Sequence, residues 1–433
     1  MDSGKSYKIS TGTGVAIVMA NMIGTGVFTS LGFQVKDMEN PVSILILWLL
    51  GGLLALAGAF SYAEVGTTIR KSGGEYVFLS SIYHPIIGYL SGWISLTVGF
   101  AAPIALAAIG VAKYLQVEPL YQMTVAISVV AIISFIHTQN LRISSRFQVL
   151  STVFKVSVMV ILILAGLAIS GYEEPNIELS HQVFLEINSS AFAIALIYVT
   201  YSYSGWNAAA YITEEFRNPL KSLPIALIGG TVLVTLLYTL LQFVFLKHIP
   251  FSELLGKVEV GQLAAMNMFG SAYGKVFSFV IAMLLVSSIS AMVWVGPRVT
   301  SSMANRHPFW NYFSVGKDKI PKKALWLQFI ISAVLIITGT FEQIMVYCGV
   351  LLSVSSMLVI FAVFILRYKN HDKSVPVFKS PIFPFFQLVY LFSMFWMIGF
   401  TLVEYQQEVL LGLLNLIVGL LTYFISKRLE INR

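Results

Sequence analysis

Two short stretches carry residues suited to binding a small charged molecule through the protein backbone. Ala20 to Phe28 reads ANMIGTGVF and sits at the centre of an apolar run from Gly12 to about Phe33. An interior glycine costs a helix roughly 1 kcal/mol, so Gly24 and Gly26 around Thr25 mark an interruption. Ser202-Tyr203-Ser204-Gly205 marks a second, about 180 residues further on. Unwinding a helix in hydrocarbon frees N–H and C=O groups that must find partners. The amides of Thr25, Gly26 and Val27, at the positive end of an outer half-helix, suit a carboxylate. The carbonyls from Ala20 to Ile23, Asn21 included, and from Tyr198 to Tyr201 suit an ammonium group. Glycine at 24 and 26 also lets a ligand approach the backbone. A zwitterion satisfies both sets. Close helix packing accounts for the same small residues, but the pairing of two interruptions argues for a ligand. Ser202, Ser204 and Gly205 leave room at the second break. Asn207 just beyond it either bonds a substrate amine or satisfies the unwound backbone. Lys155, about nine residues into another apolar run, is the third chemical group. A lysine at membrane depth is expensive and points to function, with snorkelling to the interface as the alternative.

The elements that must position these groups are membrane helices. The 433-residue chain is 57% hydrophobic and 11% charged, with a mean hydropathy of +0.82, outside the range of soluble domains of this length. Apolar runs long enough to cross a bilayer occur near 12-34, 42-68, 84-114, 121-140, 147-170, 189-213, 223-247, 271-303, 324-341, 344-367, 382-403 and 408-426. None alternates like a barrel strand, so the expected fold is all-α with 12 transmembrane helices. The polar start MDSGKSYKIS gives no sign of a cleavable signal peptide.

Charge placement supports that topology. With a cytoplasmic N-terminus, 21 of the 27 Lys and Arg residues fall inside, among them Arg70, Arg142, Arg217, Lys317 and Arg367. Five fall outside (Lys36, Lys113, Lys247, Lys257, Lys275) and Lys155 within a helix, the bias expected of correctly oriented spans. Both termini are then cytoplasmic, and the acidic loop from Gly171 to Glu186 is external. The net charge of +7 is a signature of topology, with no concentrated soluble basic face for nucleic acid. The bilayer is the partner that composition implies.

The breaks fall in the first helix of each of two five-helix halves, 12-171 and 188-370, followed by helices 11 and 12 at 381-426. Tails of 1-11 and 427-433 complete the chain. Paired interruptions at matching positions point to a transporter built from inverted repeats, and an odd helix number per repeat forces opposite orientations. An enzyme is disfavoured, because no H-E-x-x-H, paired carboxylates or Ser/His/Asp set lies at membrane depth, and no G-x-x-x-x-G-K-[ST] loop provides for ATP. With Cys348 alone, no CxxC redox or metal site exists, and His137 and the other histidines read as interfacial. No cofactor is expected. Glu64, Glu214 and Glu215 read as structural ion-pair partners of loop Arg or Lys.

"MIGTGVF" resembles the G-[S/A/T]-G-[I/V]-F signature of the amino acid, polyamine and organocation (APC) transporter superfamily. "SYAEVGTTIRKSGGEYVFL" (Ser61 to Leu79) and "YSYSGWNAAAYITEEFRNPLKSLPIAL" (Tyr201 to Leu227) resemble signatures of its L-amino acid transporter branch. The resemblance covers most of the chain. It implies a five-plus-five inverted repeat with helices 1 and 6 broken at the substrate site, here Asn21, Ile23 to Val27, Tyr198, Tyr201, Ser202, Ser204, Gly205 and Asn207. Tyr201 matches the family's aromatic gate, with plain packing as its alternative, and Trp206 adjoins it. "TVFK" ending at Lys155 is similar to a T-x-x-K whose ammonium stands where sodium-coupled relatives hold Na⁺, between helices 1, 5 and 8. Ser287-Ser288-Ile289-Ser290 would supply its neighbours, Ser287 and Ser290 foremost. Lysine there disfavours bound Na⁺ and leaves proton symport, exchange and uniport open. Eukaryotic light chains of the branch carry a cysteine after helix 3 that bonds a heavy chain. Lys113 to Gln122 has none, which implies a stand-alone prokaryotic-type carrier of the inner membrane, as a monomer or weak homo-oligomer. The expected function is therefore a permease for amino acids. Neutral L-amino acids are expected because neither break contains a charged side chain. A non-transporting amino acid sensor, or a carrier of cationic amino acids or polyamines, is the alternative.

Overall fold

A computed structural model describes residues 9–36, 38–139, 141–172, 179–315, 320–369 and 377–431, with the backbone alone for 141–149. The tail up to residue 8, the charges at Arg142 and Lys317, and residues 173–178 of the acidic loop lie outside the described residues. Among the described residues the regular structure is helical, apart from an isolated parallel bridge between Ile9 and Phe216. That bridge ties the chain before the first helix to the end of the sixth span through Ile9 N–H to the Glu215 carbonyl, 2.8 Å.

The first span is α1 (Thr11–Met22), α2 (Gly26–Thr29) and α3 (Leu31–Gln34), with the break between the first two. Next come α4 (Pro41–Ile69), the short loop helix α5 (Gly74–Ile82), then α6 (Pro85–Ile94) and α7 (Ala101–Tyr114), joined by a π-turn at Ser95–Phe100. α8 (Pro119–His137), α9 (Leu141–Ala168) and the external α10 (His181–Ile187) precede the sixth span. That span is α11 (Ser190–Tyr203) and, past the second break, a 3-10 segment at Ala208–Glu215. α12 (Pro219–His248), α13 (Phe251–Leu254), α14 (Val260–Phe269) and α15 (Ser271–Ala304) follow. After a 3-10 turn at Pro308–Phe313 come α16 (Lys322–Thr338), α17 (Phe341–Lys369), α18 (Phe385–Glu404) and α19 (Gln406–Ile431).

Ten helices among the described residues are long and apolar enough to cross a bilayer, or eleven when the bent pair of α10 with the segment 190–215 counts as one span. The run expected at 324-341 forms only the 17-residue α16, so the full count of twelve is not reached by length and composition. The short connecting helices α10 and α14 were missed, because short amphipathic turns leave little periodic signal.

Large apolar side chains such as Ile132, Ile161, Leu236 and Phe395 are exposed, as lipid-facing surface requires. Inside, small residues bring helices into contact, since lipid removes the hydrophobic drive between them. A Cβ on Gly52 would lie 2.3 Å from Thr235, and one on Gly58 2.6 Å from Trp206. Trp48 is fully buried, donates to Gln34 at 2.8 Å and packs against Tyr203 and Tyr238. Those contacts lock α4, α11 and α12 together behind the two breaks.

Candidate substrate site

The break in the first span begins where Ile23 turns extended (φ −72°, ψ 91°) and ends where α2 starts at Gly26. In the sixth span Ser204 is extended and Gly205 takes φ +98°, a left-handed conformation that only glycine adopts without cost. The two breaks touch. A Cβ on Gly26 would fall 2.6 Å from the Ser202 Cα, and one on Gly205 2.7 Å from the Asn21 carbonyl. Those two glycines therefore serve close packing, the reading set aside from sequence. Gly24 differs, because a Cβ there meets nothing nearer than the Met22 carbonyl at 3.8 Å.

Two adjoining compartments open at the breaks. The smaller, of about 310 Å³, is lined by Asn21, Gly24, Thr25, Gly26, Ser202 and Ser288 among others. The larger encloses about 880 Å³, open solvent included, and is lined by Gly205, Trp206, Asn207, Phe100, Tyr211 and Glu75 among others. Asn21, Tyr201, Ser204 and Met292 belong to both walls. Among the described residues none of the backbone hydrogen bonds outside the regular helices uses the Thr25 or Gly26 N–H, so those donors are available to a ligand in the smaller space.

Ile23, Val27 and Tyr198, expected to bind substrate, line neither compartment. The Val27 carbonyl accepts from Gln242 at 2.9 Å and the Met22 carbonyl from Tyr238 at 2.6 Å. The Ile23 carbonyl accepts from the Lys155 ammonium at 3.1 Å. Three of the carbonyls freed by the break are thus satisfied within the protein, which narrows the ammonium site to Asn21 and the second break.

Lys155 is 1% exposed, so it does not snorkel. Its second partner is Ser288 Oγ, at 2.9 Å. Ser287 and Ser290 do not take that place: Ser287 Oγ makes no hydrogen bond among the described residues, and Ser290 pairs with His137 Nε2 at 2.7 Å. His137 is accordingly a buried helix-packing residue (6% exposed) and not an interfacial one. A helix turns about 100° per residue, so only one serine of that group can face Lys155, and sequence does not say which.

Tyr201 is 4% exposed and its hydroxyl lies 3.0 Å from Thr25 Oγ1, bridging the two breaks across the shared wall. Trp206 stacks edge-on against Tyr62, with centroids 4.6 Å apart. Asn207 lines the larger compartment and does not cap the backbone; its Nδ2 donates to Glu75 Oε1 at 2.9 Å. Glu75 also accepts from the Tyr62 hydroxyl at 2.5 Å and, through Oε2, from Ser355 Oγ at 3.0 Å. Sequence reasoning gave this carboxylate, part of the Ser61 to Leu79 signature, no role of its own; it lies on a loop helix about 50 residues from the first break and more than 120 from the second. Burial raises its pKa above the ordinary value, and hydrogen bonds from Tyr62, Ser355, Asn207 and Tyr211 offset only part of that rise. Glu64 behaves as expected, paired in bidentate fashion with Arg367 at 2.7 and 2.8 Å.

Comparison with known sequences places this geometry. The profile described as "Amino acid permease" matches residues 9–420, nearly the whole chain. The chain belongs to the amino acid permease family. It is similar to the serine/threonine exchanger SteT of Bacillus subtilis (strain 168), at 27% identity over 99% of this chain and 98% of that one. It is 29% identical to the b(0,+)-type amino acid transporter 1 of Mus musculus, over 95% of this chain and 86% of that one. The human cystine/glutamate transporter is 24% identical, over 96% and 85% respectively. This chain is thus a multi-pass amino acid permease and not an enzyme.

On the side of Tyr201 away from the larger compartment, the permease closes with a layer absent from the sequence reading. Phe33 stacks on Phe341 and tilts against Tyr198, each pair 5.9 Å apart. Tyr198 and Tyr405 both donate to Glu342, at 2.8 and 3.0 Å, and Lys36 stands 4.0 Å from it. Tyr198 is therefore part of a plug that lies across the breaks from the larger compartment.

Proposed function

We propose that this permease carries α-amino acids across the membrane by alternating access, without sodium, through proton symport or exchange. The observation that carries the reading is the meeting of both broken spans at one pair of compartments. Open amides at Thr25 and Gly26 suit the α-carboxylate, and acceptors at Asn21 and the second break suit the α-ammonium. Tyr201 and the Phe33–Phe341–Tyr198 layer separate this space from the outer face. The Lys155 ammonium, bonded to the Ile23 carbonyl, fills the place where a bound cation would otherwise satisfy the break. On this reading residues 12-171 and 188-370 are inverted repeats, both termini are cytoplasmic, and the chain acts in a bacterial cytoplasmic membrane without a disulfide-linked heavy chain, as a monomer or weak homo-oligomer. The smaller compartment is lined by no charged side chain, which supports a zwitterionic head group. The side-chain class depends on the larger compartment.

Competition in proteoliposomes tests this. Free amino acids should displace a labelled amino acid, while decarboxylated amines and N-acetylated acids should fail, because each removes one backbone anchor. Equal displacement by an amino acid and its decarboxylated amine would overturn the assignment. A non-transporting sensor would bind in the same way but give no flux.

A further inference from the structure

The first break leaves backbone groups on both of its sides without helical partners, and such groups are costly to bury in a membrane. Two side chains of α12 meet that need. Tyr238 and Gln242 are fully buried and stand four residues apart, so they share one helix face about 6 Å apart along the axis. The Tyr238 hydroxyl donates to the Met22 carbonyl of α1 at 2.6 Å, and the Gly24 N–H bonds to the same oxygen. Gln242 Nε2 donates to the Val27 carbonyl of α2 at 2.9 Å. One helix thus grips the chain just before and just after Thr25 and Gly26, the residues whose N–H groups are the carboxylate anchor.

The neighbours of Tyr238 make the grip firm. Its ring packs edge-on against Trp48 and tilts against Tyr203, at 5.7 and 5.1 Å. Tyr203 ends α11 at the second break, and its own hydroxyl donates to the Trp48 carbonyl at 3.0 Å. The direction of the Tyr238 hydroxyl is therefore set by α4 and α11 as well as by α12. A binding group must be held to within about 0.5 Å. A backbone amide has no rotamer of its own to lock, so its position is controlled by whatever holds the chain on either side.

We infer that Tyr238 and Gln242 are positioning residues for the substrate, holding the two sides of the first break so that the Thr25 and Gly26 amides converge on the α-carboxylate. This rests on the transport reading above and deepens it. Neither side chain lines either compartment, so each acts through the backbone. Loss of the Tyr238 hydroxyl strands the Met22 carbonyl and the Gly24 N–H together, and the turn that carries the amides loses its fixed direction.

Initial uptake rates into proteoliposomes holding the whole protein, with competition by an amino acid and by its carboxamide, test this. Tyr238→Phe and Gln242→Leu should each raise the KM for the amino acid about 3- to 10-fold and keep the maximal rate within about twofold. Each should also reduce the preference for the acid over the carboxamide by a similar factor. Tyr89→Phe is the comparison, because it removes an equally buried hydroxyl whose partners, Thr422 and Trp310 at 2.9 and 2.8 Å, belong to neither break. It should lower the thermal midpoint with KM and preference unchanged. Should Tyr238→Phe not fold, Gln242→Leu decides by itself. A lower midpoint with wild-type KM and preference in the α12 variants would overturn the inference and leave the transport reading intact. Equal competition by acid and carboxamide in the wild type would overturn the carboxylate anchor, and with it both the head-group assignment of the transport reading and this inference.

Discussion

The two glycines of the first break should respond in opposite ways to added bulk. At Gly26 a Cβ would lie 2.6 Å from the Ser202 Cα and 2.3 Å from its Oγ. The backbone atom cannot rotate away, so the broken spans must part by about 0.8 Å to restore a contact of 3.4 Å. Overpacking of that size costs about 1 to 3 kcal/mol. Because the strain falls on the contact that aligns the two breaks, Gly26→Ala should weaken apparent substrate affinity about 5- to 150-fold and lower thermal stability as well. At Gly24 the nearest atom is 3.8 Å away, so Gly24→Ala should leave stability almost unchanged. Gly24→Leu, filling the smaller compartment, should abolish binding in a protein that is still folded. The assay is substrate-dependent stabilisation of purified protein in a thermal melt, with proteoliposome uptake in parallel. Wild-type affinity in Gly26→Ala would refute the geometry of the breaks. Full uptake by Gly24→Leu would refute the placement of the ligand.

Other perturbations follow from named contacts. Replacing external Na⁺ by an inert organic cation should leave transport unchanged, whereas Lys155→Ala, which deprives the Ile23 carbonyl and Ser288 of their partner, should impair it; uptake that collapses without Na⁺ would sink the role given to the ammonium. Tyr201→Phe removes only the bond to Thr25, worth about 1 kcal/mol, and should keep most activity, while Tyr201→Ala opens the shared wall and should lose it. Equal rates in the two variants would reduce Tyr201 to packing. Arg367→Ala strands the buried Glu64 and should destabilise the protein by about 2 to 4 kcal/mol, read as a lower thermal midpoint, and an unshifted midpoint would mean the pair contributes nothing.

Hydropathy and helix propensity are local properties, and what depends on them was legible in the sequence. The all-helical membrane class, the positions of both breaks, and the cost of Lys155 in hydrocarbon follow from residues within a helical turn or two of each other. Direction along the helix is equally local, so sequence alone sets Tyr201, Ser204 and Asn207 beside the second break. Rotation about the helix axis and contacts between distant spans are not local, and only the tertiary structure decided them. Ser288 rather than Ser287 or Ser290 meets Lys155 because the facing of α15 is set by its neighbours. Gly26 packs and Gly24 faces open space although both sit in one GTG triplet, because Ser202 on another span approaches just one of them. Tyr198 was expected at the substrate through the carbonyls that end the first half of the sixth span, but one helical turn before Tyr201 its ring meets Phe33 and its hydroxyl Glu342. Glu75 belongs to the Ser61 to Leu79 signature, yet a glutamate on a polar loop reads as solvated until α5 folds back against α4, α17 and the second break and buries it beside the cavity.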